Sequence, residues 1–126
     1  MKRILMVDDD EIHLEMAKNI LKEKFEIITA KSGKEAIAIL FGGLTPHLIL
    51  LDILMPNMDG WETFNRLKGI SLLKNVPIVF LTSVNEAKDK KHAKEIGISD
   101  YITKPYKRED IIERIDIILG KAEKKK

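Results

Sequence analysis

Hydrophobic and polar positions form two alternating kinds of segment along the chain. Short apolar runs such as Leu48–Leu51 contain no polar residue, which is typical of strands buried on both faces of a sheet. Between these runs, apolar residues recur at helical spacing, as at Leu14, Ala17 and Leu21. The predicted strands are Arg3–Val7, Phe25–Ala30, Leu48–Leu51, Pro77–Leu81 and Tyr101–Thr103.

Capping residues set the limits of the first two helices. Asp10 is placed to cap a helix over Glu11–Lys24, because a short acidic side chain accepts hydrogen bonds from free backbone N–H groups at a helix start. Ser32 and Glu35 match a capping box. We expect the helix that they begin to run to about Phe41, before a pair of glycines.

Three further helices are predicted in the second half of the chain. Trp61, Phe64 and Leu67 give the apolar stripe of the third helix. The fourth, capped by Asn85 and ended by Gly97, is polar nearly all round, so we expect it to pack loosely. The fifth has an apolar face made of Ile111, Ile112, Ile115, Ile118 and Leu119.

The alternation of strands and helices predicts an α/β fold. Parallel strands connect through right-handed crossovers, which places helices on both faces of one sheet. We therefore expect a single domain with a flavodoxin-like, doubly wound, five-stranded parallel sheet in the order 2-1-3-4-5 and five helices. Residues 1–120 are assigned to this domain, and residues 121–126 to a basic tail or a truncation point.

The composition excludes several kinds of function. The chain has 126 residues, of which 44% are hydrophobic and 33% charged, as expected of one globular domain. No cysteine is present, so disulfides and thiolate metal sites are excluded. A formal net charge of +2 is too small to predict direct binding of nucleic acid, and no apolar stretch approaches a membrane span. The cytoplasm is the expected location.

Polar residues lie at the ends of four predicted strands. Asp8 and Asp9 follow the first strand, and Asp52 follows the third. Thr82 ends the fourth strand and Lys104 follows the fifth. The carboxyl ends of parallel strands meet at one edge of the sheet, so we expect these side chains to converge. Three carboxylates gathered there would either bind protons or recruit a hard cation such as Mg²⁺.

These residue types suit the formation of an acyl phosphate on Asp52. A metal ion beside Asp52 would reduce charge repulsion when the carboxylate attacks phosphorus. Lys104 offers a second positive charge to the phosphoryl oxygens, and the Thr82 hydroxyl can donate a hydrogen bond to one of them.

Four segments resemble the motifs of two-component response-regulator receiver domains, of the single-receiver kind found in chemotaxis regulators. The resemblance extends from the first predicted strand to the last helix. The segments are Val7–Asp10, Leu51–Gly60, Leu81–Ser83 and Tyr101–Pro105.

The resemblance implies roles for individual residues. Asp52 would be the phosphoacceptor, Asp9 a direct Mg²⁺ ligand and Asp8 a ligand largely through water. The backbone carbonyl of Leu54 would complete the protein ligands.

The remaining motif residues would act on the phosphoryl group and respond to it. Lys104 would contact the phosphoryl group and would precede a cis bond to Pro105. Thr82 and Tyr101 would form the switch pair, in which Thr82 moves toward the phosphoryl group and the Tyr101 ring turns into the vacated space.

The resemblance also implies a place in phosphorelay signal transduction. A sensor histidine kinase or a phosphotransfer protein would supply the phosphoryl group, and a target protein or output domain would respond. The surface of the fourth helix, fifth strand and fifth helix would carry the signal, in a monomer or a phosphorylation-dependent dimer. Such a switch is not a conventional enzyme, although it promotes its own phosphorylation and dephosphorylation.

Two other functions remain open at this point. One is a receiver-like docking module that never accepts phosphate. The other is a phosphohydrolase with an aspartyl nucleophile. Such enzymes typically have the pattern Asp-x-Asp at the nucleophile. Here Leu54 occupies the position of the second Asp, which disfavours catalytic turnover.

Neighbouring residues suggest how the site is tuned. Leu54 and Val84 are apolar, and we hypothesise that they hinder the attacking water and prolong the phosphorylated state. The three histidines, His13, His47 and His92, lie on different predicted elements without paired metal-ligand spacing. They are interpreted as solvated or structural.

Overall fold

Five strands form one parallel sheet in the computed structural model, which describes residues 1–124. They are β1 (Arg3–Val7), β2 (Glu26–Ala30), β3 (Leu48–Leu51), β4 (Ile78–Thr82) and β5 (Asp100–Thr103). Their order is β2-β1-β3-β4-β5. The predicted topology is therefore confirmed, and Thr82 is the last residue of β4, as expected.

Helices cover both faces of this sheet. They are α1 (Glu11–Leu21), α2 (Gly33–Phe41), α3 (Gly60–Lys68), α4 (Ala87–Ile96) and α5 (Arg108–Lys124), with a short 3₁₀ turn at Ser71–Leu73. One apolar cluster joins the sheet to α1 and α5, and the other joins it to α2, α3 and α4. None of the helices within residues 1–124 is long and apolar enough to cross a membrane.

The central strand β3 explains the apolar run that has no polar alternation. Leu48 and Leu50 belong to the cluster beneath α1 and α5, whereas Ile49 and Leu51 belong to the cluster on the opposite face. Successive side chains of a strand point to opposite faces, so a strand covered on both sides needs apolar residues throughout. Asp52 follows directly after this buried strand.

The helix starts at Asp10 and Ser32 are confirmed. The Asp10 side chain accepts hydrogen bonds from the backbone N–H groups of Ile12 and His13. Ser32 Oγ accepts from the Glu35 N–H at 3.0 Å. Glu35, however, accepts from the N–H of Lys31 at 3.2 Å, one residue before the position that a capping box usually engages.

The cap of α4 differs from the prediction. Asn85 does not cap this helix; the N-cap residue is Glu86, and its side chain makes no capping hydrogen bond. Ala93 is the one fully buried residue of α4, in agreement with the expected loose packing. Gly97 ends the helix with φ of +97°, a conformation that glycine adopts without a side-chain penalty.

Two helix ends also differ from the expected limits. α1 ends at Leu21 and not at Lys24. α5 continues beyond Gly120 to Lys124. Residues 125 and 126 lie outside the described residues, and the assignment of 121–126 as a tail or truncation point stays a prediction.

Gly60 brings the start of α3 close to the end of β3. A Cβ atom at Gly60 would collide with the backbone carbonyl oxygen of Asp52 and the Cα of Ile53. The Gly60 N–H donates to the Ile53 carbonyl at 2.8 Å. The absence of a side chain at this position therefore lets α3 pack directly behind Asp52.

Candidate functional site

The carboxyl ends of four strands bring the predicted site residues to one edge of the sheet. Carboxylate oxygens of Asp8, Asp9 and Asp52 all lie within 4.8 Å of one another. Lys104 reaches the same group from the end of β5. Asp8 and Asp52 are buried and Asp9 is exposed, so the cluster opens toward solvent on one side.

Hard oxygen donors at this spacing are suited to Mg²⁺, which binds a few carboxylates and keeps several waters. The exposed Asp9 side of the cluster leaves access for those waters. The donor set therefore fits the predicted cation.

Asp8 is held by two hydrogen bonds from the protein. Its Oδ1 accepts from the Asp10 N–H at 3.0 Å, and its Oδ2 accepts from Lys104 Nζ at 2.6 Å. The Lys104 ammonium also lies 3.5 Å from Asp52 Oδ2. The lysine therefore balances part of the negative charge of the cluster.

The Asp52 carboxyl group experiences opposing effects. Burial raises its pKa, while a hydrogen bond with Thr82 and the positive charge of Lys104 act to lower it. The neighbouring charge of Asp8 raises it further, and the net shift is upward. Asp52 Oδ1 accepts from the Ile53 N–H at 2.7 Å, which fixes the orientation of the carboxylate.

The backbone of Val84 connects the two residues of the predicted switch pair. Its N–H donates to Thr82 Oγ1 at 3.3 Å, and its carbonyl accepts from Tyr101 Oη at 2.6 Å. The half-buried Tyr101 ring packs edge-on against Phe80, with ring centroids 5.9 Å apart. In this structure the phenol is thus bound to the loop after β4.

The environment of Tyr101 changes its acidity. Burial, followed by the charges of Asp89 and Asp52, raises the pKa of Tyr101 to about 12. Lys90 of α4 lies 6.0 Å from the centre of the ring. Tyr101 therefore contacts α4 as well as the loop that carries Val84.

Two further predicted features concern the peptide bond before Pro105 and the position of Leu54. The peptide bond between Lys104 and Pro105 is cis, as the resemblance implies. Leu54 lies in the loop after β3 with its side chain 60% exposed. Its backbone carbonyl as a metal ligand stays a prediction.

His13, which the sequence indicates to be solvated or structural, lies next to the site. His13 Nδ1 lies 3.0 Å from Lys104 Nζ. Its position three residues after the cap of α1 directs it toward the strand ends, but Lys104 lies 91 residues further along the chain, so no local pattern predicts this contact. His47 and His92 have structural contacts: His47 accepts from the Arg3 N–H, and His92 packs against Trp61.

Comparison with known proteins gives a consistent result. Residues 4–116 match the sequence profile of the family described as "Response regulator receiver domain". The chain is 35% identical over 123 residues to the alkaline phosphatase synthesis transcriptional regulatory protein PhoP of Bacillus subtilis, a match that covers 97% of this chain and 50% of PhoP. It is also 35% identical over 123 residues to a CpxR homolog of Haemophilus influenzae, covering 97% of this chain and 52% of the homolog.

A solved structure has the same fold. The CheY-like response regulator receiver domain protein of Methanospirillum hungatei superposes with a TM-score of 0.90 at 30% identity, covering 100% of this chain and 99% of that one. The curated relatives are longer proteins, and this chain spans about half of their length.

Proposed function

Because the chain belongs to the family of response regulator receiver domains of two-component systems, we propose that it accepts a phosphoryl group on Asp52 and passes on the signal by a change of shape. The observation that carries this proposal is the convergence of three carboxylates and Lys104 at the strand ends. Receiver domains are signalling switches, and this site has the groups that such a switch requires.

Asp8, Asp9, Asp52 and the backbone carbonyl of Leu54 would hold Mg²⁺. When bound, Mg²⁺ would neutralise part of the carboxylate charge and orient a phosphoryl oxygen. Asp9 is exposed and makes no hydrogen bond or ion pair with other side chains among residues 1–124, so it can bind a cation without giving up a protein partner.

The transfer step uses the carboxylate of Asp52 as nucleophile. An Asp52 oxygen forms a bond to phosphorus while the bond between phosphorus and the donor's leaving group breaks, and the leaving group departs with that electron pair. Lys104, 3.5 Å from Asp52 Oδ2, is placed to bind the transferred phosphoryl oxygens. The Thr82 hydroxyl, which lies beside the Asp52 carboxylate and acts to lower its pKa, can donate a hydrogen bond to a phosphoryl oxygen.

The proposed readout begins at Thr82. If its hydroxyl turns to the phosphoryl group, the contact with the Val84 N–H weakens, and the loop that binds Tyr101 Oη is released to shift. Such a change is a shift between two populations, biased by bonds that only the phosphorylated form can make.

The surface formed by α4, β5 and α5 is the proposed output surface. Arg114 of α5 donates two hydrogen bonds to the Asp100 carboxylate, at 2.8 and 2.7 Å, and one to the Tyr101 carbonyl at 3.0 Å. These bonds couple α5 to the strand that carries Tyr101. A target protein, an output domain or a second copy of the chain would bind here, and a histidine kinase or phosphotransfer protein would be the donor in the cytoplasm.

One incubation tests the proposal. Wild type and Asp52→Asn are treated with acetyl phosphate and Mg²⁺, and intact masses are measured together with free phosphate. We expect the wild type to gain the mass of one phosphoryl group and Asp52→Asn to gain none.

The same measurement separates the alternatives. A wild type with neither mass gain nor phosphate release would support a docking module that never accepts phosphate. Release of phosphate at many turnovers per chain without accumulation of phosphorylated mass would support a phosphohydrolase. A mass gain that persists in Asp52→Asn would move the phosphoacceptor to another residue.

A further inference from the structure

The Lys104 ammonium has a partner outside the acidic cluster. Its Nζ lies 2.6 Å from Asp8 Oδ2, 3.5 Å from Asp52 Oδ2 and 3.0 Å from His13 Nδ1. An ammonium group has three N–H donors and no acceptor, so Nδ1 of His13 accepts in this contact. In this arrangement the ring proton is on Nε2.

The turn that forms the acidic cluster also fixes the backbone of His13. Asp10 Oδ1 accepts from the N–H of Ile12 at 2.9 Å and from the N–H of His13 at 3.3 Å. The Asp10 N–H in turn donates to Asp8 Oδ1. The His13 ring is thus attached to the same short segment as Asp8, so both side chains approach Lys104 from one turn.

A cation and Lys104 compete for Asp8. Both Asp8 oxygens already accept a hydrogen bond, and Oδ2 has the shortest contact of Lys104. A divalent cation held at this cluster, with Asp8 as a ligand largely through water, would still repel the ammonium and weaken its contact with Asp8. Lys104 would then lose its contact with Asp8 in the cation-bound state, and in that state it has to bind phosphoryl oxygens.

We propose that His13 is a positioning residue that keeps Lys104 Nζ beside Asp52 when a cation occupies Asp8. This role rests on the proposed phosphoryl transfer to Asp52. It adds His13 as a residue on which the rate of that transfer depends. His13 acts through Lys104 and does not touch Asp52. A neutral acceptor suits this task, since it retains the lysine without adding another negative charge to the cluster.

The competing arrangement is a proton on Nδ1. That nitrogen also lies 3.5 Å from Asp10 Oδ2 and 3.7 Å from Asp8 Oδ2, so a protonated Nδ1 would pair with a carboxylate. The protonated Nδ1 and the Lys104 ammonium would then both be hydrogen-bond donors. No hydrogen bond could form between them, and His13 could not hold the lysine. The two arrangements differ in which ring nitrogen carries the proton.

The first test needs no phosphoryl transfer. Long-range ¹H–¹⁵N NMR of the imidazole at about pH 8, where an ordinary histidine is neutral, identifies the protonated nitrogen. We expect His13 to carry its proton on Nε2 without metal and also with saturating Mg²⁺. A proton on Nδ1 in the Mg²⁺-bound protein would overturn the proposal.

The second test compares two variants with saturating Mg²⁺ and a range of acetyl phosphate concentrations. His13→Leu removes the acceptor, and His13→Asn places an amide oxygen near the position of Nδ1. We expect His13→Leu to lower the maximal phosphorylation rate by about fivefold, the effect of one ordinary hydrogen bond, with KM within about twofold of wild type. His13→Asn should recover the rate to within about twofold.

Each outcome separates this proposal from the proposed function. A wild-type maximal rate in His13→Leu, or a rate in His13→Asn as low as in His13→Leu, would refute the role of His13 while leaving Asp52 as phosphoacceptor. A wild type that gains no phosphoryl mass would overturn both. Circular dichroism checks that each variant folds; if His13→Leu does not, His13→Ala takes its place.

Discussion

At the scale of single residues, the site balances charges that burial would otherwise make unfavourable. Asp8 and Asp52 are 6% and 7% exposed, and each lies within reach of one lysine. Replacing Asp52 by asparagine would leave Lys104 paired with Asp8, so Asp52→Asn is expected to stay folded and to serve as a sound control.

Leu54 and Val84 set the lifetime of the phosphorylated form in our hypothesis. Both side chains are apolar, and neither can orient a water molecule for attack on the acyl phosphate. We expect Leu54→Asn with Val84→Glu to speed loss of the phosphoryl group roughly tenfold, equivalent to about 1.4 kcal/mol in the barrier. The decay of phosphorylated mass after removal of the donor measures this rate, and an unchanged half-life would refute the hypothesis.

Tyr101 predicts a dependence of stability on alkaline pH. Its pKa of about 12 in the folded protein lies above the ordinary value of 10.0, so the folded state binds this proton more tightly. The stabilisation is fully present below about pH 10 and is lost as pH rises toward 12. Across that range, the free energy of unfolding of wild type should fall relative to Tyr101→Phe in urea titrations. A constant difference between the two proteins would contradict the prediction.

At the scale of the element, α4 is the helix that the rest of the protein holds least firmly. It buries one residue fully, Ala93, and begins at Glu86 without a side-chain cap. Helices with few buried contacts open locally at low free-energy cost. This is consistent with α4 as the mobile part of the proposed output surface.

A substitution at Glu86 can give α4 a side-chain cap, and its effect on stability can be compared with removal of the Ser32 cap of α2. Glu86→Asp keeps the charge and adds a side chain short enough to accept from the first turn, so we expect it to raise the free energy of unfolding by about 0.5–1 kcal/mol. Ser32→Ala removes the bond to the Glu35 N–H and should lower it by about 1 kcal/mol. Urea unfolding measures both changes, and a destabilising Glu86→Asp would show that the segment before α4 cannot adopt a capped conformation.

At the scale of the whole molecule, local patterns predicted the α/β fold, and the flavodoxin-like arrangement supplied the strand order, which is confirmed. The convergence of Asp8, Asp52 and Lys104 follows from the common direction of parallel strands, whereas the roles of these residues come from the family resemblance and stay predictions. Two features could not be foreseen. His13 meets Lys104 through a contact between distant segments. The start of α4 lies one residue later than Asn85, at Glu86, although asparagine is the better capping residue, so local preference does not decide it.

The assignment of residues 121–126 as a tail can be tested by truncation. The last turn of α5 is mostly exposed, and its ion pair between Glu123 and Lys2 joins side chains that are 55% and 39% exposed. Such pairs contribute little to stability. We expect a chain ending at Gly120 to melt within about 3 °C of the full chain, a change below roughly 1 kcal/mol. A larger loss would make these residues part of the domain.

The bonds from Arg114 to Asp100 and to the Tyr101 carbonyl have a further consequence for energetics. Because they make α5 and β5 move together, a partner that binds α5 and prefers one position of Tyr101 shares one coupling free energy with the phosphoryl group on Asp52. Thermodynamic linkage makes that coupling reciprocal: the factor by which phosphorylation tightens the complex equals the factor by which the partner stabilises the acyl phosphate against its hydrolysis equilibrium. A bound partner of this kind would therefore raise the equilibrium fraction of phosphorylated chain by the same factor.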